Sequence, residues 1–120
     1  MSKIVQAANA MISSQKKITE VTRSRIGDEI FFLFDNKYVW SIVESEGDYV
    51  LWFYPKGDLI NLASYEHYDW DSVAMIRYST KDLGTKEAFA TFAELYNVVN
   101  ENMYGVNDVL DDIIEHDIPF

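Results

Sequence analysis

The chain of 120 residues has no cysteine. A disulfide scaffold, a Cys-ligated zinc site and a thiol nucleophile are therefore excluded. Two prolines and five scattered glycines leave no room for a flexible linker or for a glycine-rich phosphate loop. No run approaches the roughly eighteen apolar residues of a membrane-spanning helix. Near the start, Gln6 and Asn9 interrupt the sequence before an apolar run of signal-peptide length forms, so the cytoplasm is the expected location. Basic residues are scarce too: ten Lys and Arg stand against twenty Asp and Glu, a formal net charge of −10. Direct binding of nucleic acid and adhesion to an anionic membrane both need a basic footprint, so neither is expected.

Motifs for chemistry are also missing. The only histidines are His67 and His116, and no Gly-x-Ser-x-Gly nucleophile motif accompanies them. Glu66, His67, Asp69 and Asp71 supply oxygen-rich ligands but lack the calcium-loop pattern and its glycine. No catalytic residue, metal or cofactor is assigned. With twenty carboxylates, no particular pair can be nominated for acid–base work.

What is present is a globular composition, 48% apolar and 15% aromatic, of a length that suits one domain over 1–120. The organisation is helix, then sheet, then helix, which places the chain in the α+β class. Ile4, Ala8, Met11 and Ile12 have helical spacing within 3–15. Residues 16–25 read either as a continuation of that helix or as a Thr-rich edge strand. The segment 29–54 is an antiparallel meander of three strands. Asp35-Asn36-Lys37 and Glu46-Gly47-Asp48 supply the turns. Its strands are apolar on both faces and need cover on both. Flanking helices suit one face; the N-terminal region or a second subunit is expected over the other. Residues 58–63 are ambiguous, 65–71 read as an exposed loop, and 73–78 give a fourth strand.

Thr85 is a plausible N-cap for a helical C-terminal third. Phe89, Phe92, Tyr96, Val99, Met103, Val106, Leu110 and Ile113 follow at alternating spacings of three and four, an a/d pattern. Asn102 and Gly105 suggest a kink, or a break into helices at about 85–102 and 106–116. The stripe suits packing on the sheet, with homodimerisation through the same face as the alternative.

The charge is unevenly distributed. Residues 1–25 carry +4, residues 26–81 carry −6 and residues 82–120 carry −8. Glu87, Glu94, Glu101, Asp108 and Glu115 recur every seven residues. On one continuous helix they would form a row with a step of about 10.5 Å. Such a row is either a solvated helix face or a coarse imitation of a phosphate backbone, whose charges rise about 3.4 Å per strand step. Asp111 and Asp112 add charge near a helix C-terminus, where the dipole disfavours it. The loop interleaves Tyr65, Tyr68 and Trp70 with Glu66, Asp69 and Asp71. Aromatics beside acids suit a basic partner; the same aromatics can also fold back as core.

These features point to a non-catalytic protein that blocks a basic partner, most directly a nucleic-acid-binding protein or nuclease, in the manner of an immunity protein or a phage inhibitor of host defence. The candidate partner-binding residues are Tyr65, Glu66, Tyr68, Asp69, Trp70, Asp71, Glu94, Glu101, Asp108, Asp111, Asp112 and Glu115. One alternative is a dimeric assembly protein or chaperone that holds an apolar client segment. A small enzyme with a carboxylate site is another.

Overall fold

Ser2 opens the first helix, α1 (Lys3–Ser13), its hydroxyl accepting the Val5 N–H at 3.4 Å. The computed structural model describes residues 2–116, apart from the side chains of His67 and Tyr68. Val5, Ala8 and Met11 are the buried line of α1, three residues apart and so on one face. Helical geometry ends at Ser14 (φ −122°, ψ 50°), and a short 3-10 turn over Gln15–Lys17 leads into strand β1 (Ile18–Arg23). Of the two alternatives for 16–25, the strand forms. Ile18, Thr19, Val21 and Thr22 are all β-branched, which restricts their rotamers in a helix and suits a pleated surface. The register shifts between Thr19 and Thr22, with Glu20 at φ 52°, and this bulge blunts the edge strand against further pairing.

The meander is present as β2 (Ile30–Phe34), β3 (Tyr38–Ser45) and β4 (Asp48–Tyr54). Both hairpin turns hold two consecutive residues at positive φ: Asp35 (58°) with Asn36 (60°), and Glu46 (52°) with Gly47 (84°). That geometry twists with the strands and closes a three-residue connection, Asp35 to Lys37, and a two-residue one, Glu46 to Gly47. The last strand, β5 (Ile76–Ser79), starts three residues later than its sequence signal. All five strands form one antiparallel sheet in the order β1-β2-β3-β4-β5.

Each face of the sheet is covered from within the chain. The remaining helices are α2 (Leu59–Ser64), α3 (Thr80–Leu83), α4 (Lys86–Met103) and α5 (Val106–His116). On one face Ile30, Phe32, Ile42 and Leu51 pack against Ala8 and Met11 of α1 and Phe92, Leu95 and Val99 of α4. On the other, Phe31, Val39 and Tyr54 pack against Leu59, Leu62 and Ala63 of α2. Trp70, from a 3-10 turn over His67–Ser72, closes this second core, stacked on Phe31 at 5.9 Å with 12° between the rings. The second face therefore needs neither the N-terminal region nor a second subunit. Its cover is the 59–72 segment, read from sequence as ambiguous or looped. Asp58 initiates that cover by accepting the Ile60 and Asn61 N–H groups at 3.0 and 3.4 Å. Burying each large apolar side chain in these cores contributes about 1.5–3 kcal/mol.

Thr85 caps α4, its hydroxyl accepting the Ala88 N–H at 3.0 Å, with Glu87 in the first turn. The buried line of α4 is Ala88, Thr91, Phe92, Leu95 and Val99. Phe89, the first residue of the heptad pattern, is 43% exposed. The helical third breaks in two at Gly105, which takes φ 65° and donates its N–H to the Asn102 carbonyl at 3.1 Å. A left-handed residue just past the last helical turn is the usual end of an α-helix, and glycine adopts it without a Cβ clash.

Candidate interaction surface

Beyond Gly105 the chain continues as α5, which buries none of its residues. Its principal packing partner is α4. The molecule measures 58 × 33 × 27 Å with a radius of gyration of 15.5 Å, against the roughly 13.6 Å of a compact domain this long. This elongation is in keeping with a helix that stands off the body.

At about 100° per residue, Val106, Val109, Leu110, Ile113 and Ile114 form one stripe on α5. Val109, Leu110, Ile113 and Ile114 are 55%, 47%, 59% and 62% exposed. Asp108, Asp111, Asp112 and Glu115 occupy the opposite side, all exposed. Asp111 and Asp112 lie nearest the two borders of the apolar stripe, while Asp108 and Glu115 point directly away from it. His116 is the only other ionisable group described in α5, and it folds back on its own helix. Its Nδ1 lies 2.7 Å from the Asp112 carbonyl and 3.4 Å from the Asp112 carboxylate. An amphipathic helix normally buries its apolar face. Here that face meets solvent.

The break at Gly105 divides the seven-residue row of acids. Glu94 and Glu101 are exposed on α4 with Glu87, whereas Asp108 and Glu115 belong to α5. A single straight row of five carboxylates is therefore not formed. The last acid of the sequence, Asp117, lies outside the described residues.

The 65–71 segment faces a different way. It packs over the sheet face opposite α4. Tyr65 meets the Trp70 ring edge-on at 5.5 Å, and Trp70 contacts both Phe31 and Tyr54. Glu66 is paired with Arg25 at 3.2 Å, and the Asp69 carboxylate accepts the Glu66 N–H at 2.9 Å. These four residues thus have partners within the fold. Asp71 is exposed, and the side chain of Tyr68 lies outside the described residues.

One polar cluster escaped notice in the sequence because it is assembled across the sheet. Ser41 Oγ and Tyr54 OH are 2.8 Å apart, and Tyr54 OH donates to Glu29 Oε2 at 3.3 Å. Burial holds the Glu29 carboxyl above its ordinary pKa, an effect that hydrogen bonds from Ser41 and Tyr54 oppose. The Tyr54 phenol is pushed up as well, first by burial and then by the Glu29 charge. None of the three residues lines the clefts at the two ends of α1 or the one beside Ile113 and Ile114. The trio satisfies its own hydrogen bonds, which is what a polar group inside an apolar core requires.

The basic N-terminal segment partly approaches α5. Lys16 and Lys17 line a cleft of about 870 Å³ whose other wall includes Asp108 and Asp111. No ion pair spans it among the described residues. Arg23 is occupied by Asp28 at 3.4 Å and Tyr104 OH at 3.3 Å. Among the described residues no group of three His, Asp or Glu side chains is arranged to hold a metal ion, and no helix is long and apolar enough to cross a membrane. Against protein-family models, curated proteins and solved structures, the chain shows no significant match.

Proposed function

We propose that the chain is a non-catalytic binding protein that blocks a basic partner, and that α5 is the element it presents. The observation that carries this reading is the bare apolar stripe of α5 backed by four carboxylates. Two physical terms would act together. The acids steer a cationic surface toward the helix, raising the association rate. The stripe then enters an apolar groove, the general mode by which amphipathic helices dock. Asp111 and Asp112 flank the stripe and would meet lysines or arginines on the rim of that groove. A nucleic-acid-binding protein or nuclease is the most direct class of partner, since its phosphate site already accepts anions. In this proposal the anchor is the aliphatic stripe of α5, in place of Tyr65 and Trp70, whose rings are engaged in the second core.

The test uses the intact chain as bait in extract of its native host, beside two variants: Leu110→Asp/Ile113→Asp and Asp111→Asn/Asp112→Asn. The expected result is one basic protein, identified by mass spectrometry, captured by the wild type and lost with the first variant. The second variant should slow its association and flatten the dependence on salt. Capture that is unaffected by both variants, or unchanged between low and high salt, would refute the proposal.

A further inference from the structure

Two strands border the sheet, β1 and β5, and they are guarded unequally. β1 carries the bulge at Glu20 and is flanked by α2 and α4. β5 pairs with β4 in unbroken register, and its principal neighbours are β4 and the helix that follows it, α3. Tyr49 turns its N–H toward β5, donating to Thr80 Oγ1 at 3.0 Å. Backbone groups alternate in direction along a strand. Leu51 and Phe53 therefore face β5 as well, and their partners Tyr78 and Ile76 face β4. Arg77, and Met75 just before the strand, are left with N–H and C=O groups directed away from the sheet. An unpaired row of this kind is a template for another strand. The side chains beside it are equally bare: Met75 is 38% exposed and Ile76 47%.

We propose that β5 pairs antiparallel with β5 of a second copy about a two-fold axis, joining the two sheets into one. Local charge selects this occupant. No carboxylate lies between Asp71 and Asp82, the longest interval between successive acids in the chain, and β4 beside it has none between Asp48 and Asp58. A basic strand finds no counter-charge along this edge. An acidic strand finds only Arg77, whose guanidinium is already held by Asp82 at 3.1 Å. What suits the edge is an aliphatic strand free of carboxylates, with outward N–H and C=O groups at alternate positions, and the edge itself is such a strand. For a chain of charge −10, it is also where a like-charged copy meets least repulsion.

The register follows from the same residues. Symmetric antiparallel pairing sets one residue opposite itself. Arg77 opposite Arg77 would bring like charges face to face, which destabilises a sheet. Tyr78 opposite itself would require Thr80, which already belongs to α3. Ile76 opposite Ile76 avoids both. It sets Met75 of each copy against Arg77 of the other, so that the outward groups of these residues bond across the axis and the two Ile76 side chains cover each other. A contact this short is smaller than a standard stable interface, so the association is weak and depends on concentration. Being isologous, it closes at the dimer. It leaves α5 free, because Asp108 and Asp111 share their cleft with Ile18 of β1, on the opposite edge of the sheet, about 19 Å away across four strand spacings.

The experiment is sedimentation velocity on the full chain over a wide concentration range. The wild type should rise to twice the monomer mass and stop there. Added salt should strengthen the dimer, since it screens the repulsion between two acidic copies and spares a contact made of backbone hydrogen bonds and aliphatic side chains. Ile76→Lys sets lysine against lysine at the axis and should hold the chain monomeric; lysine is a common guard on natural edge strands, so the fold tolerates it at this exposed position. Because the wild type has no cysteine, a second measurement reads the register directly. Ile76→Cys should form an intermolecular disulfide readily, since the pair at the axis is not hydrogen-bonded and has Cα atoms about 4.5 Å apart. Arg77→Cys, opposite Met75 in this register, should cross-link much more slowly. A wild type that stays monomeric at every concentration, one that grows past the dimer, a dimer that salt dissolves, an Ile76→Lys chain that still associates, or equal cross-linking at the two cysteine positions would each overturn the proposal. So would a chain that stays monomeric while its β5 edge captures a foreign strand from host extract and loses it with Ile76→Lys.

Discussion

Leu95 and Leu110 belong to neighbouring helices, and truncating each to alanine separates two accounts of the C-terminal third. If α4 and α5 were one helix seated on the sheet, Leu110 would be a core residue by its place in the heptad stripe. Instead Leu95 has no exposed surface and packs among Phe92, Ile42 and Leu51, while Leu110 is 47% exposed on a helix that buries nothing. Leu95→Ala removes buried methyl groups and leaves a cavity between α4 and the sheet, costing about 2–5 kcal/mol. At an m-value of about 1.5 kcal/mol per M, the urea midpoint should fall by roughly 1–3 M. Leu110→Ala removes surface that water already reaches, and its cost should stay within about 0.5 kcal/mol. The assay is urea unfolding followed by far-UV circular dichroism. Comparable losses at the two positions would refute the projecting α5, since no exposed side chain produces a core-sized effect.

Three further outcomes follow from local geometry. Burial raises the Glu29 pKa in the folded state, so the native protein holds that proton more tightly than the unfolded chain. The stability this group contributes is full below its unfolded pKa and declines as pH rises through the folded one. Glu29→Gln should therefore gain on the wild type in urea midpoint as pH increases from acid to neutral, and a gap independent of pH would argue against the buried carboxyl. Gly105→Ala meets no neighbour within 4 Å but must keep φ at 65°, so it should cost about 1–2 kcal/mol from backbone strain alone; a thermal melt that does not move would contradict the left-handed break. Lys16→Glu/Lys17→Glu should leave stability within about 1 kcal/mol, because neither lysine is paired with α5 among the described residues; a large loss would reveal that the two lips of that cleft close on each other in solution.

The sheet was the legible part of this sequence because its determinants are local. Asp35-Asn36 and Glu46-Gly47 tolerate positive φ where these tight hairpins need it, and the strands between them announce themselves by composition. β1 was half legible: its β-branched residues favour a strand, but Lys16 and Lys17 continue the polar side of α1, and only pairing with β2 decides the matter. The cover of the second face was hidden because Trp70 acquires its role from Phe31, almost forty positions earlier in the chain. The hardest feature to read was α5. Periodicity reports which side of a helix is apolar and is silent on whether anything lies against that side. The same pattern of threes and fours runs through Phe92, Val99, Leu110 and Ile113, yet the first two are sealed against the sheet and the last two are bare. What separates them is Gly105, which turns the chain away from the sheet, so that the residues after it keep the signature of a core without having one. The acids of α5 sharpen the point. On a helix buried against its own domain they would merely keep the outer face wet; beside an uncovered stripe they also bias what can cover it, toward a surface that is apolar at its centre and basic at its edge.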